Sequence, residues 1–203
     1  MDVSFLSLGQ LGANTYFVKS NSDIFIVDPG ASAQKIISAI DNLNLRYIFL
    51  THAHVDHIGA IDDLKKQYDA PVVIHKSDAQ ALNNGSLNLC NLFGENSPVT
   101  KADIIVNDGD TLPFSGKELR IIHTPGHTAG SMCIYTDGLL FSGDTIFLSS
   151  IGRTDFPGGS FEDLQCSIQD KIYTLPLSTI IYPGHGSSTT VDYEKSFNPF
   201  VRG

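Results

Sequence analysis

The stretch "THAHVDHIGA" occupies residues 51–60 and follows directly on the apolar run "YIFL" of residues 47–50. Three histidines and an aspartate fall within six positions, in a chain that has seven histidines in 203 residues. Composition alone does not supply such clustering, so selection for a site is the better explanation. "YIFL" reads as a buried strand, which puts the cluster just past a strand end. If residues 51–56 are extended, the two-residue period turns His52, His54 and Asp56 to one side. His57 then lies at the entry to a helix that Ile58, Ile61 and Leu64 carry to about Tyr68. Imidazole and carboxylate groups are ligands for Zn²⁺ and related ions. The competing reading is a polar, helix-capping loop.

The same placement recurs later: His127 in "TPGHTAG", Asp144 in "FSGDT" and His185 in "YPGHG" all stand at strand ends. Their glycine neighbours let the backbone turn sharply and bring a ligand close to a crowded ion. With the first cluster they make five histidines and two aspartates, more than one ion needs, and a dinuclear site is expected. His75 and His123 fall outside every motif and read as ordinary hydrogen-bonded imidazoles.

Working outward, "VSFLSL", "NTYFVKS" and "IFIVDPG" read as short strands. A helix is expected from Ser32 as N-cap, through Ile36, Ile37, Ile40 and Leu43. Beyond the first cluster come the strand "PVVIH" and a loop or short helix near residues 83–97. Strands follow at "DIIVND", "ELRIIHT", "SMCIYT" and "LLFSGD", then a Gly-rich loop, "GRTDFPGGS". Ser160 and Asp163 suggest a capping box ahead of an apolar stripe of Phe161, Leu164, Ile168, Ile172 and Leu175, and "TIIYPGH" is a last strand. Interleaved strands and helices, with no repeat and no low-complexity linker, predict one α/β domain over residues 1–203.

A net charge of −9 repels phosphate backbones and excludes nucleic acid as an expected partner. No membrane-length apolar stretch and no signal-like start are visible, so a cytoplasmic location is expected and no membrane association. Cys90, Cys133 and Cys166 are odd in number and widely spaced, and read as reduced, mostly buried thiols. The oligomeric state is not fixed by any feature; a monomer is compatible with the composition.

The motifs "THAHVDH", "TPGHTAGSM", "FSGDTIF", "IGRTDFPGGS" and "YPGHG", in this order, resemble the metallo-β-lactamase-fold hydrolases, and within them the short proteins similar to glyoxalase II (hydroxyacylglutathione hydrolase). The resemblance implies an αββα sandwich with the site at one sheet edge. It implies that His52, His54 and His127 hold a first metal, that Asp56, His57 and His185 hold a second, and that Asp144 bridges them. Asp56 and Asp144 are the carboxylates assigned to catalysis. Two divalent ions are expected, zinc first and iron or manganese as alternatives, because His and carboxylate accept all three. Such a pair lowers the pKa of a shared water toward ~7. The implied reaction is hydrolysis of a small thioester such as S-D-lactoylglutathione, whose thiol leaves without a strong acid.

Asp144 disfavours antibiotic hydrolysis, since the true β-lactamases that resemble this fold place Cys or Ser there. Full-length glyoxalase II holds glutathione largely through a C-terminal helical domain, whereas this sequence runs only from His185 to Gly203 beyond the last ligand. A weak grip on glutathione is expected. Two alternatives stand beside this reading. One is a persulfide dioxygenase using His52, His127 and Asp144 around a single Fe(II); the other is a non-catalytic metal-binding protein. Arg153 and Asp155 of "GRTDF" are expected to form a structural ion pair.

Overall fold

A computed structural model describes residues 1–203. Six strands form the first sheet in sequence order: β1 (Asp2–Leu8), β2 (Ala13–Ser20), β3 (Asp23–Val27), β4 (Asn44–Phe49), β5 (Val72–His75) and β6 (Ile104–Val106). The first three are antiparallel neighbours, and β3 to β6 run parallel. The second half supplies β7 (Thr111–Phe114), β8 (Lys117–His123), β9 (Met132–Thr136), β10 (Leu139–Gly143), a hairpin of β11 (Ile146–Phe147) and β12 (Ser150–Ile151), then β13 (Ile180–Pro183) and β14 (Thr189–Thr190). Apart from the hairpin these form a second sheet in the order β14-β13-β10-β9-β8-β7. The helices are α1 (Ala33–Ile40), α2 (Val55–Ile58), α3 (Ile61–Gln67), α4 (Cys90–Phe93), α5 (Phe161–Ser167) and α6 (Val191–Phe197).

The period-2 alternation of the strands explains why four layers form. In β3, Phe25 and Val27 point between the sheets, where they meet Phe49, Phe114, Leu119, Ile121, Ile134 and Phe141. Ile24 and Ile26 point outward and bury Ile36 and Ile40 of α1, together with Ile58, Ile61 and Leu64. On the far side, Ile122, Cys133, Leu140 and Ile181 cover Leu164, Ile168 and Ile172. Phe25 is met edge-on by Phe49 at 5.5 Å, Phe114 at 4.9 Å and Phe141 at 5.9 Å, so one side chain ties both sheets together. Each such pair contributes roughly 0.5–1.5 kcal/mol beyond area burial. The αββα sandwich implied by the resemblance is the architecture found.

Several local expectations are corrected. The helix after the first motif is broken: α2 ends at Ile58 and α3 begins at Ile61. Gly59 and Gly30 lie backbone to backbone, and a Cβ on Gly30 would overlap the Asp56 carbonyl. Ser32 precedes α1 in a left-handed conformation, but its hydroxyl caps nothing, and Leu43 lies past the helix end. Ser160 Oγ does accept from Asp163 N–H at 3.2 Å. The Ser160 N–H goes instead to the Gly126 carbonyl, so there is no reciprocal box. α5 then widens into a π-helical turn over Ile168–Ile172. β7 carries no strand signal in the sequence because "TLPF" contains a proline, which is tolerated on this edge strand. α6 was also unforeseen; Thr190 Oγ1 caps it by accepting from Tyr193 N–H. No helix is long and apolar enough to cross a membrane.

Candidate metal centre

The ends of β4, β8, β10 and β13 meet along one edge of the sandwich. Two backbone hydrogen bonds hold that edge: Met132 N–H to the Thr51 carbonyl joins the sheets at 2.8 Å, and Asn14 N–H to the Gly184 carbonyl fixes the last loop at 2.7 Å. All seven sequence-predicted residues converge there, in three overlapping groups: His52–His54–His127, His52–His57–Asp144 and Asp56–His57–His185. The route differs from expectation at one point. Residues 51–54 are irregular, but Asp56 lies on α2 beside His57, so helical geometry and not strand alternation places it.

In the first group, His127 Nε2 lies 2.9 Å from His54 Nδ1 and 3.2 Å from His52 Nε2. In the Asp56–His57–His185 group, His185 Nε2 lies 3.2 Å from Asp56 Oδ2, and His57 Nε2 lies 3.6 Å from that same oxygen. Asp144 stands between them: Oδ1 is 3.5 Å from His57 Nε2, and Oδ2 is 3.6 Å from both His127 Nε2 and His185 Nε2. Gly184 makes room for this, because a Cβ there would overlap Asp144 Oδ1 and crowd His57 Cε1.

The outward-facing ring nitrogens define which nitrogens are free. His57 Nδ1–H donates to Asp28 Oδ2 at 2.9 Å, and His127 Nδ1–H donates to the Arg153 carbonyl at 2.7 Å. Thr51 Oγ1–H donates to Asp28 Oδ2 at 2.6 Å, so its lone pair can accept from His52 Nδ1–H at 3.1 Å. Each of the three rings is thereby held with its Nε2 lone pair aimed into the site, the arrangement that metal-binding imidazoles require. His57 Nε2 and Asp144 Oδ1 are buried without a hydrogen-bond partner, which is costly unless a cation meets them.

Electrostatics agree with that demand. Burial, reinforced by neighbouring histidines, pushes His52 well below its usual range and His54 down to about 3, so both stay neutral, the form in which an imidazole can hold a metal. For His57 burial opposes charging, but Asp56, Asp144 and Asp28 outweigh it and raise the ring to about 10. Burial would likewise raise Asp56, but His57 and His185 hold it below the usual carboxylate range. The pocket therefore calls for positive charge: without a metal, His57 carries it as a proton. The residues present fit divalent ions.

Sequence reasoning missed Asp28, Thr51 and Asp78. Asp28, in a left-handed backbone conformation (φ 53), holds both His57 and Thr51. Asp78 receives Ala53 N–H, Gly130 N–H and the Thr128 hydroxyl, tying the two ligand loops together. Asp28 follows the apolar strand "IFIV" and precedes a Pro-Gly turn, the same strand-end signal that marked the candidate ligands. Arg153 and Asp155 do form a two-pronged ion pair, both contacts at 2.7 Å, with the guanidinium 3.9 Å above the Phe156 ring. It is the carbonyl of Arg153, not its side chain, that serves the site. His75 and His123 make ordinary hydrogen bonds, to Ser77 N–H and the Ala129 carbonyl, and also stack on each other at 3.8 Å. Cys90 and Cys133 are buried and Cys166 is exposed; all three are free thiols.

A sequence profile of the metallo-beta-lactamase superfamily matches residues 8–185. A probable metallo-hydrolase of Bacillus subtilis, YqgX, is 38% identical over 98% of this chain and 96% of its own length. The hydroxyacylglutathione hydrolase GloC of Haemophilus influenzae is 37% identical over 87% of this chain and 86% of its own. Among solved structures, the BLEG-1 B3 metallo-beta-lactamase superposes with a TM-score of 0.95 at 36% identity, covering 100% of both chains. TTHA1623 in a di-iron-bound form gives 0.86 at 32%, covering 98% of this chain and 100% of its own. ETHE1 from Myxococcus xanthus gives 0.79 at 27%, covering 98% and 84%.

Proposed function

The chain belongs to the metallo-beta-lactamase superfamily of metal-dependent hydrolases, and from that premise we propose that it hydrolyses a thioester of the S-(2-hydroxyacyl)glutathione kind at a two-metal centre. The observation that carries this reading is the doubled ligand set: two three-residue groups share one region, with Asp144 between them and with the outward nitrogens of His52, His57 and His127 already bound. A structural ion would be closed off by four ligands and would leave the rest unused. His52, His54 and His127 would hold the first ion, Asp56, His57 and His185 the second, and Asp144 both. Zinc suits this donor set, and iron, the metal of the TTHA1623 form, suits it as well.

Divalent ions in these positions supply Lewis acidity and make water a nucleophile near neutral pH. The protein's own groups do the rest. Asp56 stays ionised, so its carboxylate can accept a hydrogen bond from the attacking water and orient it. Asp28 and the Arg153 carbonyl keep His57 and His127 from rotating. A thiol leaving group of pKa ~8.5 departs as thiolate without a strong general acid, which an amine does not.

A second reading has an observation of its own, the close likeness to BLEG-1, which raises β-lactam hydrolysis. Asp144 argues against it. A third, the mononuclear iron dioxygenase, needs only His52, His127 and Asp144 and leaves the 3.2 Å pairing of Asp56 with His185 unexplained. One preparation separates them: elemental analysis combined with assays for S-D-lactoylglutathione hydrolysis, β-lactam hydrolysis and O₂ uptake on glutathione persulfide. Two ions per chain with thioester hydrolysis is the expected result, and Asp144→Ala should lose more than one ion's worth of metal. One ion with O₂ uptake, or β-lactam turnover without thioester turnover, overturns it.

A further inference from the structure

Beside the second ligand group lies a cleft of about 330 Å³ between the β1–β2 turn and the segment from Cys90 to Pro98. Asp56 forms part of its wall, so the cleft and the metal centre share a residue. Leu11, Val55, Phe93 and Pro98 give it an apolar lining, and Glu95 and Asn96 stand among them. No lysine, arginine or histidine contributes. Leu11 and Phe93 remain about half exposed, at 47% and 46%, as side chains that would be covered by an occupant.

Resting on the thioester reading above, we propose that this cleft receives the acyl arm of the substrate and selects an uncharged, apolar acyl chain. Two features point that way. The first is charge: the carrier arm of a biological thioester bears carboxylates or phosphates that need cations to bind, whereas the charged side chains here are Glu95 and Asp56, and the Asp56 carboxylate is turned to the metal centre. The second is the lining: Leu11, Val55, Phe93 and Pro98 offer an apolar acyl chain a surface to bury, in a volume at the small end of ligand pockets. The acyl carbonyl must lie at the metal centre, so its chain has only a short distance to travel into a cleft walled by Asp56. Leu11 and Phe93 are the specificity-determining residues, and Glu95 excludes acyl groups ending in a carboxylate.

The experiment uses the metal-loaded protein with thioesters of one small thiol, N-acetylcysteamine, varying only the acyl group: acetyl, butyryl, hexanoyl, D-lactoyl and succinyl. kcat/KM should rise about two- to fourfold per added methylene until the cleft is full, as expected for methylene burial. Succinyl should run about tenfold below butyryl. Leu11→Ala and Phe93→Ala should flatten the chain-length series. Glu95→Gln should raise succinyl relative to butyryl about tenfold, and Leu92→Ala, at an exposed position outside the cleft lining, should change nothing. Binding of the matching non-hydrolysable thioethers, measured by calorimetry, should follow the same order. Lactoyl turnover with no chain-length dependence, or with Leu11→Ala and Phe93→Ala silent, overturns the cleft assignment and leaves thioester hydrolysis standing. Turnover of none of the series, with no thioether bound, overturns both.

Discussion

Replacing Asp28 by asparagine changes one atom type at a residue that touches no substrate, and its effect on metal affinity follows from the hydrogen bonds it makes. Asp28 accepts three: Thr51 N–H on Oδ1 at 2.7 Å, and Thr51 Oγ1–H and His57 Nδ1–H on Oδ2 at 2.6 and 2.9 Å. An asparagine that keeps its carbonyl toward Thr51 N–H turns an amide donor on His57 Nδ1–H. The ring relieves that clash only by moving its proton to Nε2, which removes the lone pair aimed at Asp56 and Asp144. The flipped amide restores His57 but sets a donor against the Thr51 backbone N–H, which cannot turn away and costs about 1–3 kcal/mol. Either way metal affinity should fall about 10–100-fold, or roughly 1.4–2.7 kcal/mol. The loss should fall first on the ion of the Asp56–His57–His185 group. Titration against a competing chelator, read as two binding steps, measures it, and circular dichroism establishes that the variant is folded. A folded Asp28→Asn that binds both ions with unchanged affinity would show that the tautomer argument is wrong.

Three further outcomes are expected. Metal-free protein should be most stable near pH 6.5: His57, raised to about 10, contributes stability that is full below its unfolded pKa of ~6.5 and is lost as pH rises through 10, whereas His54, lowered to about 3, makes the fold lose stability as pH falls from ~6.5 toward 3. A Tm that climbs monotonically from pH 4 to 10 would contradict the sign for His57, and one that falls monotonically the sign for His54. Gly184→Ala should keep its far-UV spectrum but lose metal from both groups, because the added methyl displaces Asp144; full metal content by elemental analysis would refute the close approach. Asp155→Ala should leave Tm within a degree or so of the parent, since its ion pair with Arg153 lies at the surface with both side chains more than half exposed, while a Tm drop of several degrees would give the pair a structural weight that an exposed ion pair lacks.

What could be read from the sequence, and what could not, divides along a physical line. A strand end followed by glycine is visible as a string of letters, and an imidazole or carboxylate placed there has few uses besides binding or catalysis. His52, His54, His57, His127, Asp144 and His185 were therefore legible, and the interleaved strands led to the layered fold. Asp56 was found for the wrong reason, because a one-turn helix is too short to show a period and alternation happened to name the same residue. Asp28, Thr51 and Asp78 were not found because a buried acceptor is recognised by what it accepts from, and those donors lie far away in sequence: His57 is 29 positions from Asp28, and Gly130 is 52 from Asp78. Proximity of that kind exists only after the sheets have packed. Phe25 makes the connection concrete: by joining Phe49 of the first sheet to Phe114 and Phe141 of the second, it fixes the spacing of the edge at which β4 delivers His52 and β10 delivers Asp144. The candidate ligands are local facts of sequence, but the distances among them, on which the chemistry depends, belong to the inner core.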